Sequence, residues 1–207
     1  MISIAIPTGT LLDGAIDLLR RAGVVDMDRE EIGRKLLVEQ NGLRVVLVKP
    51  ADVPAYVYHG SADLGIAGKD QLWESADSPY ELLDLGFGRC RLILAVPEAS
   101  PLAGPGTWPA TLRVGTKYVR ATAEHMAALG QRVEIVGLHG SVELAPLVGL
   151  ADAIVDLTET GRTLRENRLR IVHEVDCSTA RLIANQASLK TRTHALQELV
   201  TSIREVV

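Results

Sequence analysis

Short apolar runs alternate with amphipathic stretches along the chain, and this order predicts an α/β protein with largely parallel sheets. The first apolar run, at residues 3–6, predicts a β-strand that is followed by Pro7. Apolar residues then recur at helical spacing from Leu11 to Ala22, which predicts a helix that ends at Gly23.

A β-hairpin is predicted around Asn41-Gly42, because this dipeptide favours the type I′ turn that joins two antiparallel strands. The flanking strands are expected near residues 35–40 and at residues 43–48. Further along, residues 90–96 predict another strand, and the Pro-, Gly- and Ala-rich residues 97–109 predict a loop.

A weak internal repeat relates two parts of the chain, residues 45–67 and residues 133–155. In each copy a β-branched run leads into an amphipathic stretch, an Ala-Asp pair and a second apolar run. Helices are therefore expected at residues 53–61 and 142–150. Each copy ends in a polar loop, and open α/β sheets bind ligands at the carboxyl ends of their strands. The repeat predicts two similar lobes with a ligand cleft between them.

The last part of the chain returns to the first lobe in this interpretation. Two amphipathic segments, at residues 179–189 and 193–203, predict closing helices that pack on that lobe. The predicted lobe I therefore comprises residues 1–88 and 178–207, and lobe II comprises residues 89–177.

Composition places the chain among globular proteins, since 47% of its 207 residues are hydrophobic and 23% are charged. A net charge of −4 argues against a nucleic-acid surface but allows small anions held by local cations and backbone N–H groups. No apolar run is long enough to span a bilayer and the N-terminus lacks the basic region of a signal peptide, so we expect a cytoplasmic protein. Its two cysteines, Cys90 and Cys177, are expected to be reduced and buried.

The most informative segment combines a strand, an acid and a loop rich in Thr and Gly that opens a helix. Gly161 permits unusual dihedral angles and close backbone approach, so the N–H groups of residues 159–163, here named the phosphate loop, can converge on one anion. Asp156, at the end of the strand, is placed to accept hydrogen bonds from sugar hydroxyls. The two features together predict a ribose-5-phosphate clamp. Its expected phosphate contacts are Glu159, Thr160, Gly161, Arg162 and Thr163.

Each of these positions also has a purely structural interpretation. Thr158 or Thr160 would cap an ordinary helix N-terminus, and Ser141 would cap the preceding helix. In the functional interpretation, Glu143 lies near the ribose or a magnesium-bound pyrophosphate. The tripeptide Gly68-Lys69-Asp70 is then the ligand loop of the first repeat.

Several basic residues are candidates for binding a triphosphate or pyrophosphate, although most such residues are solvated surface charges. They are Lys49, Arg89, Arg91, Lys117 and Arg120. The five histidines show no metal-ligand spacing. The sequence lacks a Walker A motif, a Gly-x-Gly-x-x-Gly after a strand and a Gly-x-Ser-x-Gly elbow, which argues against the enzyme classes that these motifs mark.

Three segments resemble the signatures of the ATP phosphoribosyltransferase family, at residues 63–70, 83–91 and 140–156. The last of them runs into the phosphate loop, and the resemblance extends from residue 1 to near the C-terminus. It implies transfer of the phosphoribosyl group of phosphoribosyl pyrophosphate to N1 of ATP, with release of pyrophosphate, as the first step of histidine biosynthesis. It also implies a two-lobed fold of the periplasmic-binding-protein type (type II). Mg²⁺ is expected to arrive with the substrates, without a direct protein ligand.

The resemblance also assigns residues to the two substrates. The phosphate loop would bind the 5-phosphate of the donor, Asp156 would contact the ribose hydroxyls, and Glu143 would lie near the ribose and magnesium. The positions on the nucleotide and pyrophosphate side are Lys49, Asp70 and Gly9.

The chain departs from the family pattern after its first strand, where relatives usually carry Lys-Gly-Arg and this chain carries Thr8-Gly9-Thr10. Ala51 stands where some relatives have a further basic residue. Two cations that would face phosphates are therefore missing.

In length the chain resembles the short form of the family. That form works with a regulatory partner that resembles histidyl-tRNA synthetase and carries feedback control by histidine. We therefore expect a hetero-oligomer in which this chain also self-associates.

Three other hypotheses are open at this point. The chain could be a cytosolic two-lobed ligand-sensing module, or a catalytically weakened subunit that serves as a scaffold. It could also be a phosphoribosyltransferase of the single-sheet type, although that class usually has paired acids before its loop and this chain has Asp156-Leu157.

Overall fold

The structure is a computed structural model that describes residues 1–102 and 106–207. The chain divides into two compact units. Unit 1 comprises Met1–Gly88 and Thr179–Val207, and unit 2 comprises Arg89–Ser178. No helix among the described residues is long and apolar enough to cross a membrane.

Unit 1 holds six strands and six α-helices. The strands are β1 (Ile2–Pro7), β2 (Leu37–Gln40), β3 (Leu43–Val48), β4 (Leu64–Gly68), β5 (Tyr80–Asp84) and, late in the chain, β11 (Ala180–Ala184). The helices are α1 (Leu12–Arg21), α2 (Arg29–Ile32), α3 (Val53–Tyr58), α4 (Lys69–Glu74), α7 (Gln186–Thr191) and α8 (Thr193–Arg204).

The sheet of unit 1 is mixed, with the strand order β2-β3-β1-β4-β11-β5. β1 pairs in parallel with β3 and β4, whereas β2 and β11 run antiparallel to their neighbours. Helices α1 and α8 contribute Leu18 and Leu196 to the hydrophobic core on one face, and α3 contributes Val53 and Val57 to a second cluster. The central strand β4 is buried along its whole length, because its side chains pack into these two clusters.

The described residues of unit 2 form the other five strands and two α-helices. They are β6 (Cys90–Pro97), β7 (Thr111–Thr116), α5 (Val119–Ala128), β8 (Arg132–Gly137), β9 (Ala153–Thr158), α6 (Arg162–Glu166) and β10 (Leu169–Ser178). The strand order is β10-β6-β9-β7-β8, with β7 parallel to β8 and β9. β6 is antiparallel to both β9 and β10.

The two sheets share one arrangement, in which a first strand lies between two parallel partners. β1 lies between β3 and β4 in unit 1, and β7 lies between β8 and β9 in unit 2. The internal repeat of the sequence therefore corresponds to β3 and β4 in one unit and to β8 and β9 in the other. The prediction of largely parallel sheets is correct only for these central strands, because antiparallel strands complete both sheets.

Several predicted elements are confirmed: the first strand, the helix that follows it, the hairpin, the strand that begins at Cys90 and the last helix. At the hairpin turn, Asn41 and Gly42 have φ of 51° and 77°, as a type I′ turn requires. The loop predicted at residues 97–109 is free of helix and strand at residues 98–102 and 106–109. Residues 103–105 lie outside the described residues.

The helix predicted at residues 179–189 is wrong in its first half, where the chain forms β11. This five-residue apolar run fits either element by pattern, and pairing with β4 and β5 on its two sides decides for a strand. The helix predicted at residues 142–150 is also wrong, since only a 3₁₀ turn at Val142–Leu144 forms there. Pro146 lacks an N–H group and its ring clashes with the carbonyl four residues earlier, so an α-helix cannot continue. Both cysteines are thiols outside any disulfide, and both are half-buried, not buried as expected.

Candidate functional site

Asp156 lies in β9, whose first residues are fully buried. Its side chain is 21% exposed. The backbone N–H of Leu157 donates to Oδ1 over 2.8 Å, and Nζ of Lys117 lies 3.3 Å from the same oxygen. No described residue donates to Oδ2, so this oxygen is available to a ligand hydroxyl.

The surroundings of Asp156 have opposing effects on the pKa of its carboxyl group. Burial raises the pKa of the Asp156 carboxyl, whereas the charge of Lys117 and the Leu157 N–H lower it. Glu143 is close enough that its negative charge adds to the upward shift in pKa. The pKa of Asp156 is raised overall, so the neighbouring cation matters for its ionisation.

Lys117 follows the last residue of β7, where a fully buried hydroxyl fixes the backbone. Oγ1 of Thr116 donates to the carbonyl of Val155 over 2.7 Å and accepts from the N–H of Tyr118 over 2.9 Å. Nζ of Lys117 also lies 5.1 Å from the centroid of the Tyr118 ring. These contacts hold the lysine beside β9.

The phosphate loop turns sharply between β9 and α6. Gly161 has φ of +71°, in the left-handed region, and its N–H donates to Oγ1 of Thr158 over 2.9 Å. The N–H of Arg162 reaches the Thr160 hydroxyl over a long 3.4 Å, and Nη1 of Arg165 donates to the Thr160 carbonyl over 3.0 Å. Gly161 is the N-cap of α6 without a side-chain cap bond, so neither threonine occupies the cap position itself.

Three N–H groups in and next to this turn have no partner among residues 1–102 and 106–207. They belong to Glu159, Thr160 and Thr163. The free N–H groups of Glu159 and Thr160 precede the left-handed Gly161, and that of Thr163 follows it. Backbone N–H groups around a left-handed residue form concave anion sites of the kind used for phosphates. The side chain of Arg162 pairs with Glu166 over 2.8 Å and is 80% exposed, so it can leave that partner at little cost.

Glu143 lies in the 3₁₀ turn after β8 and is half-buried. Ser141, which precedes this turn, has φ of +46° and makes no side-chain cap bond. The alternative in which Ser141 acts as a helix cap is therefore not realised. Glu143 belongs to the surroundings of Asp156 through its effect on the pKa of that carboxyl.

The positions predicted for the nucleotide side lie in unit 1 at the carboxyl ends of adjacent parallel strands. Gly9 follows β1 with φ of +86°, and Lys49 follows β3 with an exposed side chain. The N–H of Thr8 donates to the Val48 carbonyl over 2.8 Å, so these two chain segments leave the sheet together. Asp70 follows β4 and is buried, with Nε2 of Gln71 donating to its Oδ2 over 2.5 Å.

The other candidate cations differ in their partners. Nζ of Lys69 lies 2.6 Å from Glu81, which commits it to a structural ion pair within unit 1. Arg91 pairs with Glu174 over 3.2 Å, and Arg89 is exposed. Lys117 contacts a predicted site residue, since its Nζ lies 3.3 Å from Oδ1 of Asp156.

Sequence patterns named Lys117 only as one of five candidate cations and did not link it to Asp156. That link depends on the parallel register of β7 and β9, in which Thr116 pairs with Val155. Strand β7 is not among the elements predicted from the sequence. Recognition of that strand is the step that could have linked Lys117 to Asp156. Strands β5 and β10 and helix α5 were likewise not identified.

Comparison with known proteins shows a consistent relationship. The family model described as "HisG: ATP phosphoribosyltransferase" matches residues 49–205. An ATP phosphoribosyltransferase of Caldanaerobacter subterraneus subsp. tengcongensis is 45% identical over 209 residues, which cover 100% of this chain and 98% of that protein.

Two solved structures extend the comparison to the fold. A chain of the ATP phosphoribosyl transferase (HisG:HisZ) complex from Thermotoga maritima has a TM-score of 0.83 at 33% identity, with coverage of 100% of this chain and 98% of that chain. The periplasmic aliphatic sulphonate binding protein SsuA from Escherichia coli has a TM-score of 0.63 at 14% identity, with coverage of 99% and 68%. The latter likeness concerns the fold alone.

These findings confirm the predicted α/β fold of the two-lobed, periplasmic-binding-protein-like type II. They also confirm the predicted transferase class, since the relatives match over the whole chain and not only at the three signature segments. The chain belongs to the ATP phosphoribosyltransferase family.

Proposed function

We propose that unit 2 binds the phosphoribosyl pyrophosphate substrate, with Asp156 on the ribose and the phosphate loop on the 5-phosphate. The observation that carries this proposal is the sequence of contacts along one segment. A partly buried carboxylate with one available oxygen, at Asp156, is followed five residues later by the left-handed Gly161, with free N–H groups on both sides of it. Ribose hydroxyls donate to carboxylates, and a phosphate accepts from backbone N–H groups, so the two features fit the two ends of ribose 5-phosphate.

The reaction breaks the bond between C1 of the ribose and the pyrophosphate oxygen and forms a bond between C1 and N1 of adenine. Pyrophosphate leaves with the bonding electron pair, and positive charge grows on the ribose. In this proposal Asp156 and Glu143 stabilise that charge, since the two carboxylates are close enough for the charge of Glu143 to act on Asp156. N1 of adenine carries a lone pair at neutral pH, so attack needs alignment of the substrates more than a general base.

The nucleotide side is proposed for unit 1, where Lys49 and the turn at Gly9 follow neighbouring parallel strands. Lys49 is exposed and can contact phosphate oxygens directly. Asp70 is buried beneath the same edge of the sheet, and its carboxyl packs against Gly68 so closely that a side chain there would collide with it. We therefore assign Asp70 the role of shaping this edge as well as lining it.

Magnesium is proposed to enter on the pyrophosphate and triphosphate groups of the substrates. Mg²⁺ commonly keeps several waters and binds through substrate phosphates instead of an all-protein cage. The described part of the chain contains no group of three or more His, Cys, Asp or Glu side chains suited to a metal. Bound there, the ion neutralises charge on the leaving pyrophosphate.

A regulatory partner is part of the proposal. The Thermotoga maritima relative was solved as a HisG:HisZ complex, and it covers this chain from end to end. We propose that this chain likewise has a HisZ-like partner, and that it works in the cytoplasm as a self-associating catalytic subunit.

The test is formation of N1-phosphoribosyl-ATP, followed by ultraviolet absorbance, with and without the HisZ-like subunit and with pyrophosphatase present. Asp156→Asn should lower kcat by about 100-fold or more, since it removes a charge that acts on the transition state. Asp152→Asn is the matched control, because it makes the same chemical change four residues earlier at an acid paired with Arg113. Turnover by a folded Asp156→Asn protein at the rate of the control would contradict the proposal. Absence of product from the unmodified protein in both conditions would favour the scaffold hypothesis.

A further inference from the structure

We infer that Lys117 is a positioning residue for the transfer, holding Asp156 ionised and oriented so that Oδ2 faces the ribose hydroxyls. The inference rests on the proposed role of Asp156. It gives Lys117 a task that differs from direct binding of a triphosphate or pyrophosphate.

The register of the sheet of unit 2 places the two side chains together. β7 and β9 are parallel, and Thr116 is paired with Val155. The next residues along the chain are Lys117, directly after β7, and Asp156, within β9, so continuation of the register brings them side by side. The 3.3 Å distance from Nζ to Oδ1 is therefore a product of the strand pairing, not of a chance meeting of surface side chains.

The backbone that carries Lys117 is fixed by buried groups. The Thr116 hydroxyl is fully buried and bridges the carbonyl of Val155 and the N–H of Tyr118. Thr122 in α5 is also fully buried, with its hydroxyl 3.5 Å from that of Thr116. The residues on both sides of Lys117 are therefore held by buried hydrogen bonds.

The division of the Asp156 oxygens follows from these contacts. Oδ1 receives the Leu157 N–H and the ammonium group of Lys117, while Oδ2 receives nothing from the described residues. A carboxylate held on one oxygen presents the other in a defined direction. Preorganised acceptors of this kind avoid reorganisation during the reaction.

Among the described residues, Lys117 is the counter-ion of Asp156. Glu143, from the 3₁₀ turn after β8, is negative and raises the pKa of Asp156, as burial does. On β6 the residue paired with Asp156 is Ile93, which is uncharged and fully buried. In and after the phosphate loop, Arg162 pairs with Glu166 and Arg165 donates to a backbone carbonyl.

The experiment compares Lys117→Met, Lys117→Arg and the control Lys190→Met, a change at an exposed lysine of α7 in unit 1. The dependence of kcat/KM for phosphoribosyl pyrophosphate on pH is measured from about pH 5 to about pH 9, with the HisZ-like subunit present. Lys117→Met should move the acid limb upward by about one pH unit or more, because loss of a cation favours the protonated carboxyl. Lys117→Arg should restore most of the shift, and the control should match the unmodified protein.

A different result would identify Lys117 as a direct phosphate ligand. In that case Lys117→Met would raise KM for phosphoribosyl pyrophosphate about tenfold or more without moving the acid limb, and the inference would be overturned. A second readout does not need activity: carbon-13 NMR titration of the Asp156 carboxyl in the unmodified protein and in Lys117→Met. An unchanged carboxyl pKa would overturn the inference even if the protein were inactive. Failure of the transfer reaction with a shifted carboxyl pKa would contradict only the proposed function.

Discussion

Asp63 and Asp152 make the same pair of backbone contacts in the two units. The N–H of Asp63 donates to the carbonyl of Ser3 over 2.9 Å, and the N–H of Ser3 donates back to Oδ2 of Asp63 over 2.8 Å. In unit 2, the N–H of Asp152 donates to the carbonyl of Arg113 over 2.9 Å, and the N–H of Arg113 donates to Oδ2 of Asp152 over 3.0 Å. The Ala-Asp pair of the internal repeat therefore joins the start of β4 to β1 and the start of β9 to β7. Its role is structural, at the end of each strand opposite the candidate ligand loops.

The two aspartates should differ in their contribution to stability. Asp63 is buried and accepts from Ser188 and Arg192 in addition to Ser3, whereas the Asp152 side chain is 32% exposed. Asp63→Asn should lower the free energy of unfolding by about 2–4 kcal/mol, because it leaves a network of buried donors and a cation without their anion. Asp152→Asn should cost only about 1 kcal/mol. Urea denaturation of both variants measures the difference, and equal losses would contradict this ranking.

A pair of histidines in unit 2 predicts a loss of stability in acid. Nε2 of His125 lies 2.8 Å from Nε2 of His173, and Trp108 packs edge-on against His173. Burial and then the charge of His173 lower the pKa of His125 below 6.5, against a smaller opposing effect of Asp176. As pH falls below about 6.5, the unfolded chain therefore binds more protons than the folded chain, and the free energy of unfolding decreases.

His125→Gln should remove this part of the pH dependence, because the glutamine amide can still form hydrogen bonds but does not take up a proton in this pH range. Thermal unfolding at about pH 7.5 and about pH 5.5 gives the measurement, since the window begins at the ordinary histidine pKa. His139→Gln, at an exposed position of the same unit, is the control and should behave like the unmodified protein. An unaltered acid sensitivity in His125→Gln would show that other groups cause it.

The left-handed turn of the phosphate loop can be tested by comparing two glycines. Gly161 and Gly130 have φ of +71° and +68°, and a side chain at either would meet no close backbone atom. Replacement by alanine should therefore cost each variant about 1 kcal/mol of stability through backbone strain alone. Only Gly161→Ala should also weaken phosphoribosyl pyrophosphate binding, by about tenfold, because its strain displaces the N–H groups of the loop.

Isothermal titration calorimetry with phosphoribosyl pyrophosphate and Mg²⁺ separates the two effects. Gly130→Ala, at the end of α5, serves as the control for backbone strain. If both variants bound the donor equally well, the loop would not be the phosphate site.

Local interactions explain which parts of the fold could be predicted from sequence. The turn at Asn41-Gly42 and the helix that begins at Leu12 are specified by neighbouring residues, and both formed as expected. Residues 180–184 carry no such local instruction, since the same apolar run suits a helix or a strand. Their conformation is set by pairing with β4 and β5, which lie about 100 residues away in the chain or more.

In the candidate site, too, features set by neighbouring residues could be predicted, and features set by distant strand pairing could not. Asp156 and Gly161 are close in sequence, so strand, acid and turn could be recognised together. Lys117 is distant from Asp156 in sequence, and the two are brought together by the register between β7 and β9. The environment of Asp70 could not be predicted from sequence either, because only the structure shows that its carboxyl is buried against Gly68.

The missing cations after β1 lead to a final prediction. Thr10 is exposed and Thr8 half-buried, while the turn is held by backbone groups: the Thr8 N–H donates to Val48, and Gly9 has a positive φ. The double change Thr8→Lys and Thr10→Arg should therefore preserve the turn and add two cations beside Lys49. KM for ATP should fall by several-fold at low ionic strength, and the gain should diminish as salt is added. The control Thr8→Met with Thr10→Gln adds similar side-chain length without charge and should leave KM unchanged. A fall in KM in both double variants would point to packing, and a fall in neither would place the triphosphate of ATP away from this turn.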